Sequence, residues 1–174
     1  MLPCVSMSVA FSILVLVMGC RGLDSVEIIA GDHCARDRAA TVACTRDGDT
    51  VELGVCGGEA VRLLGINSPE IAHDSTEVDE CFGPEAAAWM EERLVDVDVR
   101  LEFDATCADT YGRTLAYVWT TDEDGEESLL NAEILRAGYA RVYEDFSDIR
   151  LIDQLRAAQD DAQATNSGLW AVCE

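Results

Sequence analysis

Residues 47–70 read DGDTVELGVCGGEAVRLLGINSPE, and the patterning inside this stretch decides the fold class. Val51, Leu53 and Val55 alternate with Glu52 and Gly54, the two-residue period of a strand with one buried face. Asp47-Gly48-Asp49 ahead of it is a turn signal, so the run from Thr41 to Arg46 is expected to pair back as the other arm of a hairpin. Gly57-Gly58 turns the chain again into a third strand over Ala60 to Ile66. That strand stops at Asn67-Ser68-Pro69, because the residue before a proline is pushed away from helical geometry.

Downstream, Ile71 to Phe82 is polar and reads as a surface loop. Pro84 suits a first helical position and Glu85 a first turn, which predicts a helix through Leu94. Val97, Val99, Leu101 and Phe103 alternate with acids and Arg100, the clearest half-buried strand in the chain. A loop containing Cys107 follows, then a strand from Arg113 to Trp119 and a polar turn at Asp122 to Gly125. Ser128 is expected to cap a helix that presents Leu130 and Ile134 on one face and stops at Gly138. A last amphipathic helix is expected over Asp148 to Thr165, with Ile149, Ile152 and Leu155 inward. Five strands with one helix between the third and fourth follow the plan of a five-stranded Greek-key barrel, the OB-fold, here mainly β with three added helices.

Upstream the pattern changes. Residues 1–19 contain no charged side chain, and Val9 to Met18 is an almost unbroken apolar run, short for a membrane span but suited to a secretory signal. It lacks the basic residues that usually precede such a run. Leu16-Val-Met-Gly-Cys20 resembles a bacterial lipobox, which implies cleavage before Cys20, lipid on its sulfur and attachment to a cell-envelope membrane. Unmodified Cys20 leaves periplasmic or secreted protein as the alternative. The expected organisation is a signal over 1–19, a lead-in over 20–39 and one folded domain over 40–174, a length sufficient for a real core. Six of eight cysteines remain once Cys4 and Cys20 are set aside, an even number that suits disulfides in an oxidising compartment.

Thirty-four acids face twelve bases, for a net charge of −22, and every base is arginine. A field of that sign repels nucleic acid and anionic lipid, so any polyanion must be met by a local positive site or a bound metal. The chain offers such a site in three pieces: Asp47-Gly-Asp-Thr50, Arg62 through Glu70, and Asp109-Thr-Tyr-Gly-Arg113. Carboxylates for a hard cation, one further acid to act as base and two arginines make the kit that phosphodiester hydrolysis needs. Two histidines, His33 and His73, are too few for nucleases that use histidine as base or metal ligand, and His73 reads as a solvated loop residue. A plain turn acid is the lesser alternative for Asp49, and an ion pair or exposed strand position the lesser alternative for Arg62 and Arg113.

From about Ala40 to Trp170 the chain resembles the staphylococcal nuclease family. The residues that carry the likeness are Asp47-Gly-Asp-Thr50, Val61-Arg-Leu-Leu-Gly-Ile66, Pro69-Glu70, Gly83-Pro-Glu-Ala86, Glu102-Phe-Asp104, Asp109-Thr-Tyr-Gly-Arg-Thr-Leu-Ala-Tyr117, Gly138-Tyr-Ala140 and Gly168-Leu-Trp170. The resemblance implies a calcium-dependent endonuclease that cuts DNA or RNA with little base specificity and leaves 3′-phosphate ends. It casts Glu70 as the acid that takes a proton from the attacking water, and Arg62 and Arg113 as the grip on the scissile phosphate. It casts Asp49, the residue at 67 and the main-chain carbonyl of Ser68 as calcium ligands, and Tyr111 as a contact to a nucleotide phosphate. Most of the family carries aspartate where this chain has Asn67, so one ligand charge is missing. The family fold also implies a Cys81–Cys173 bridge. Single strands are the expected substrate, because an OB groove tracks exposed backbone and bases. Tyr143 is a further candidate for the base pocket, and Trp170 for a plug of the core at the carboxyl end. The competing expectation is a catalytically impaired OB-fold module that only binds.

Overall fold

A computed structural model describes residues 37–173. The expectations for the signal over 1–19, Cys20, His33 and Cys34 lie outside those residues. Strands β1 (Arg38–Thr45), β2 (Thr50–Leu53) and β3 (Glu59–Leu63) form an antiparallel meander. β1 also pairs with β5 (Asp98–Glu102), and β5 with β6 (Thr114–Thr121). The sheet closes on itself where β3 and β6 run parallel, with Val61 opposite Thr114, Arg62 opposite Leu115 and Leu63 opposite Ala116. The result is the five-stranded OB barrel, with a short β7 (Glu127–Leu129) added outside β6.

Its interior follows from the alternation read in the sequence. Val42, Val51, Val61, Leu63 and Leu101 are all fully buried. Helix α1 (Gly83–Leu94) adds Ala86, Met90 and Leu94, spaced four residues apart on one face. Helix α2 (Leu130–Ala137) adds Leu130, Ile134 and Leu135, and Gly138 ends it at φ 80°, a left-handed conformation that suits glycine. Helix α3 (Ile152–Ala164) packs on α2 and buries Leu155, Ala158 and Ala162. Asn131 is a buried polar residue with its capacity used. Its Oδ1 accepts from the Val118 amide at 2.8 Å, and its Nδ2 donates to the Leu64 carbonyl at 2.9 Å. It thereby ties α2 to the point where β3 leaves the barrel.

Four sequence expectations need correction. The third strand does not run to Ile66: it ends at Leu63, turns through Gly65 at φ 81°, and Ile66–Asn67 becomes β4, paired with β8 (Arg141–Val142). Ser128 does not cap α2, because it lies in β7 opposite Thr120. The last long helix begins at Ile152 rather than Asp148, since the amides of Arg150 and Leu151 donate to Asp104 Oδ2 (2.8 Å) and Tyr117 Oη (3.1 Å) instead of entering a helical ladder. Trp170 is only half-buried, with the Arg141 guanidinium 4.2 Å from its ring centre. The residue that fills the core from the short helix α4 (Leu169–Val172) is Leu169.

Cys81 and Cys173 form a disulfide with a Cα–Cα distance of 5.9 Å, and Cys44 is bridged to Cys56. The first bridge spans 92 residues and ties the approach to α1 to the chain end. No described helix is long and apolar enough to cross a membrane.

Two stability outcomes follow. Replacing both Cys81 and Cys173 by serine is expected to lower unfolding free energy by about 4 kcal/mol, the loop-entropy value for so long a closure, read from denaturant midpoints. Asp104 is the second case. Burial alone raises its carboxyl, but the Arg150 and Ala105 amides and the Tyr117 hydroxyl outweigh it and hold the group below its ordinary 3.8. Its stabilisation is therefore fully present above pH 3.8 and is lost as the pH falls through the lower folded value. Asp104→Asn is expected to cost about 1–2 kcal/mol at neutral pH, and the gap from the parent to narrow in melts taken below that range.

Candidate active site

The barrel closure sets the site. Thr50 in β2 stands opposite Arg62 in β3, and Arg62 stands opposite Leu115 in β6. The Asp47–Asp49 turn, Arg62 and Arg113 therefore arrive at one end of three adjacent strands. The Leu63 amide donates to the Asp49 carbonyl at 2.8 Å, which pins the turn to β3. Glu70 lies three residues beyond β4, on the loop that leads to α1.

Asp49 is fully buried and organises its neighbours. Its Oδ1 forms an ion pair with Arg62 and accepts from Thr50 Oγ1 at 3.1 Å, while Oδ2 accepts from the Ser68 amide at 2.6 Å. Arg62 is itself buried. Its Nη2 donates to Asn67 Oδ1 at 2.7 Å and to the Ile66 carbonyl at 3.1 Å. A guanidinium pinned at both ends in this way holds one orientation, the condition for presenting it to a phosphate. Asp47 is also buried, with Oδ1 accepting from the Asp49 amide at 2.8 Å. Desolvation pushes its carboxyl up from the ordinary value, against the pull of Arg62.

Arg113 is placed by its own loop. Asp109 Oδ1 accepts from the amides of Tyr111 and Arg113, both at 2.9 Å, and Oδ2 accepts from Arg113 Nε at 2.7 Å. Burial works against the Asp109 carboxylate, but the Arg113 side chain and these amides hold its pKa below the usual range. Since Asp109 takes Nε, the two terminal nitrogens of Arg113 are left for another partner. Its guanidinium carbon lies 5.6 Å from the Tyr111 ring centre, and Tyr111 is 85% exposed.

Glu70 sits on the exposed side of the loop, and its backbone is fixed in two ways. Its amide donates to Glu80 Oε2 at 3.1 Å, and its carbonyl accepts from the Glu80 amide at 2.9 Å. Gly83 opens α1 directly against this carbonyl, where a Cβ would stand 2.4 Å from the oxygen. Only glycine permits that approach. Desolvation by its surroundings, followed by the Asp47 carboxylate, raises Glu70 above the ordinary glutamate value, while Arg62 pulls it down. An acid held near other charges in a cleft is a typical proton acceptor.

Arg62, Asn67, Glu70, Tyr111, Arg113 and Tyr143 line one open cleft of about 480 Å³. Asp49 and Ser68 lie buried behind its floor. Two further residues meet Glu70 in a way that the sequence did not assign. Asp47 and His73 bring ligand-capable atoms within 4.8 Å of one another and of Glu70. The signals were there, in the first acid of Asp47-Gly-Asp49 and the three-residue step from Glu70 to His73, but a turn and a polar loop explain both equally well.

Residues 60–172 match the family model described as staphylococcal nuclease homologue. A thermonuclease of Staphylococcus intermedius is 35% identical over 127 residues, covering 71% of each chain. A thermonuclease of Staphylococcus hyicus is 32% identical over 143 residues, covering 82% of this chain and 81% of its own. Endonuclease YncB of Bacillus subtilis is 32% identical over 127 residues, covering 72% of this chain and 58% of its own. By motif order, barrel topology and overall similarity, the chain belongs to the staphylococcal nuclease family.

Proposed function

We propose that this protein is a metal-dependent endonuclease that hydrolyses phosphodiester bonds of DNA or RNA with little base specificity, using calcium. The observation that carries the reading is the meeting of Arg62, Arg113 and Glu70 on one cleft, from three separate segments of the chain. Family membership supports the same chemistry. Glu70 accepts the proton of the attacking water, a role that suits a partly desolvated carboxylate. Arg113, whose terminal nitrogens Asp109 leaves free, offers a planar pair of donors to phosphate oxygens, and Arg62 adds a fixed positive charge beside them, where charge builds as phosphorus becomes five-coordinate. Tyr111 and Tyr143 flank the same cleft, and the exposed Tyr111 ring suits an adjoining nucleotide.

Asp49, the Asn67 side-chain carbonyl and the Ser68 main-chain carbonyl are the residues that would hold the ion. All three are hard oxygen donors of the type calcium takes. A carboxylate offers about four acceptor positions. Arg62, Thr50 and the Ser68 amide use three of those on Asp49, which leaves one for a metal. When bound, calcium neutralises charge on a phosphoryl oxygen. The asparagine weakens this end of the site, because it gives an oxygen without a charge.

A net charge of −22 favours flexible single strands that reach the cleft at a few phosphates over duplex that must lie along the surface. The uncharged residues 1–19, Cys20 in its lipobox-like setting and the disulfides support export, with Cys20 as a lipid anchor in the cell envelope. Asn67 and the acidic surface favour one competing reading, a module that binds nucleic acid without cutting it.

Denatured DNA and RNA incubated with the purified protein across a salt series are expected to be cleaved with calcium and to stay intact with a chelator. Glu70→Gln is expected to reduce the rate by about 10²- to 10⁴-fold with binding retained. Binding without calcium-dependent cleavage at any salt concentration selects the non-catalytic module. In a separate titration, Asn67→Asp is expected to tighten calcium about tenfold by restoring a charged ligand. A calorimetric isotherm that is unchanged or weaker removes Asn67 from the ligand set.

A further inference from the structure

Beside the oxygen ligands assigned above lies a second set of donors with different chemistry. Asp47, in the turn between β1 and β2, together with Glu70 and His73 on the loop after β4, offers two carboxylates and one imidazole whose ligand atoms all lie within 4.8 Å of one another. Asp47 is only 6% exposed, and no arginine of the described residues forms an ion pair with it. Arg62, the nearest source of positive charge, is committed to Asp49 and Asn67. Two acids thus converge beside a histidine with no cation in contact with the buried one.

An independent feature points the same way. Ser68 is fully buried, and its hydroxyl has no hydrogen-bond partner among the described residues. It faces the same turn: a Cβ placed on Gly48 would stand 2.9 Å from Ser68 Oγ, between Asp47 and Asp49 in the chain. A buried hydroxyl left without a partner implies a missing water or ion close by. Water held on a metal at Asp47 meets that need.

The geometry points to a second metal site at Asp47, Glu70 and His73, one that takes a first-row divalent ion such as Zn2+ or Co2+ rather than calcium. Calcium prefers oxygen alone, whereas one imidazole with two carboxylates suits zinc, cobalt and their neighbours. Metal–ligand distances of about 2.0–2.2 Å put the donors of one ion roughly 3–4 Å apart. The exposed side chains of Glu70 and His73 rotate toward buried Asp47 to reach that spacing, with the Glu70 backbone held by Glu80. Binding there has a consequence that rests on the proton-acceptor role given to Glu70. A Glu70 oxygen bound to the ion no longer takes a proton from water, so occupation of this site inhibits the nuclease.

The test uses Co2+ as probe on the full chain, freed of metal with a chelator. One equivalent is expected to bind with visible d–d absorption and to broaden the His73 imidazole resonances by paramagnetism. Excess calcium is expected to leave that absorption in place. His73→Ala, a change at an exposed loop position that does not threaten folding, is expected to weaken Co2+ at least about tenfold, and His33→Ala to leave it unchanged. No stoichiometric binding, binding indifferent to His73→Ala, or displacement of Co2+ by calcium each overturns the site. A second arm follows cleavage at fixed calcium while Zn2+ is added. Inhibition is expected in the parent and about tenfold weaker inhibition in His73→Ala; equal inhibition of both overturns the regulatory role. If the protein proves not to cleave nucleic acid, the Co2+ arm still decides whether the site exists.

Discussion

The parallel pairing of β3 with β6 is the constraint on which the rest of the molecule depends. Its partners are 53 residues apart at Val61 and Thr114, and no local turn brings them together. Closing this seam removes two sheet edges and buries Val61, Leu63 and Leu115 in the barrel. It also places Arg62 one strand away from the loop that presents Arg113. One set of main-chain hydrogen bonds therefore both completes the core and sets the distance between the two cations of the cleft. Asn131 reinforces the seam from α2 by bonding to Leu64 and Val118, one residue from each side of it.

Around that seam, the buried pair Asp49–Arg62 does what a surface ion pair does not. Two desolvated charges hold together when further hydrogen bonds satisfy both, and here Thr50, Ser68, Asn67 and Ile66 supply them. The network fixes the guanidinium at the floor of the cleft before any substrate arrives, so little reorganisation is left for binding. Glu70 is held by different means. Its loop is anchored through Glu80 and by the close approach of Gly83, and the Cys81–Cys173 disulfide ties down the same approach to α1. The cleft thus has a rigid floor, given by strands, and a more adaptable rim, given by a loop. Glu70 and His73 lie on that rim, with ligand-capable atoms within 4.8 Å of those of the buried Asp47.

Much of this was legible in the order of residues, for identifiable reasons. Alternation in Val97–Phe103 marked a strand with one wet and one dry face, whereas β2 stops at Leu53, is buried on both faces and leaves Val55 66% exposed. The motifs around Arg62, Glu70 and Arg113 marked the candidate site because phosphate chemistry needs such groups together, and the three do line one cleft. What escaped was set by contacts distant in sequence. Ile66–Asn67 broke away from its strand to pair with Arg141–Val142, 75 residues on, and apolar alternation carries no trace of such a partner. The start of α3 was misplaced because Arg150 and Leu151 spend their amides on Asp104 and Tyr117, which no helix propensity encodes. Ser128 had the chemistry of a cap, but the edge of β6 offered its backbone a ladder instead. His73 was read as solvated, correctly for its exposure, yet exposure says nothing about which acids it meets.

Residue order thus establishes the barrel class, the dry face of β5, and the candidate group of two arginines and an acid, because these depend on periodicity and on side-chain chemistry. Folding settles the rest: that Arg62 spans Asp49 and Asn67, that Asp47 is buried with no arginine of the described residues in an ion pair with it, and that His73 comes to Glu70 and Asp47. The reason is physical. Charge pairing, desolvation and metal-ligand spacing act through space over a few ångströms, and positions that close are set by barrel closure, not by separation along the chain.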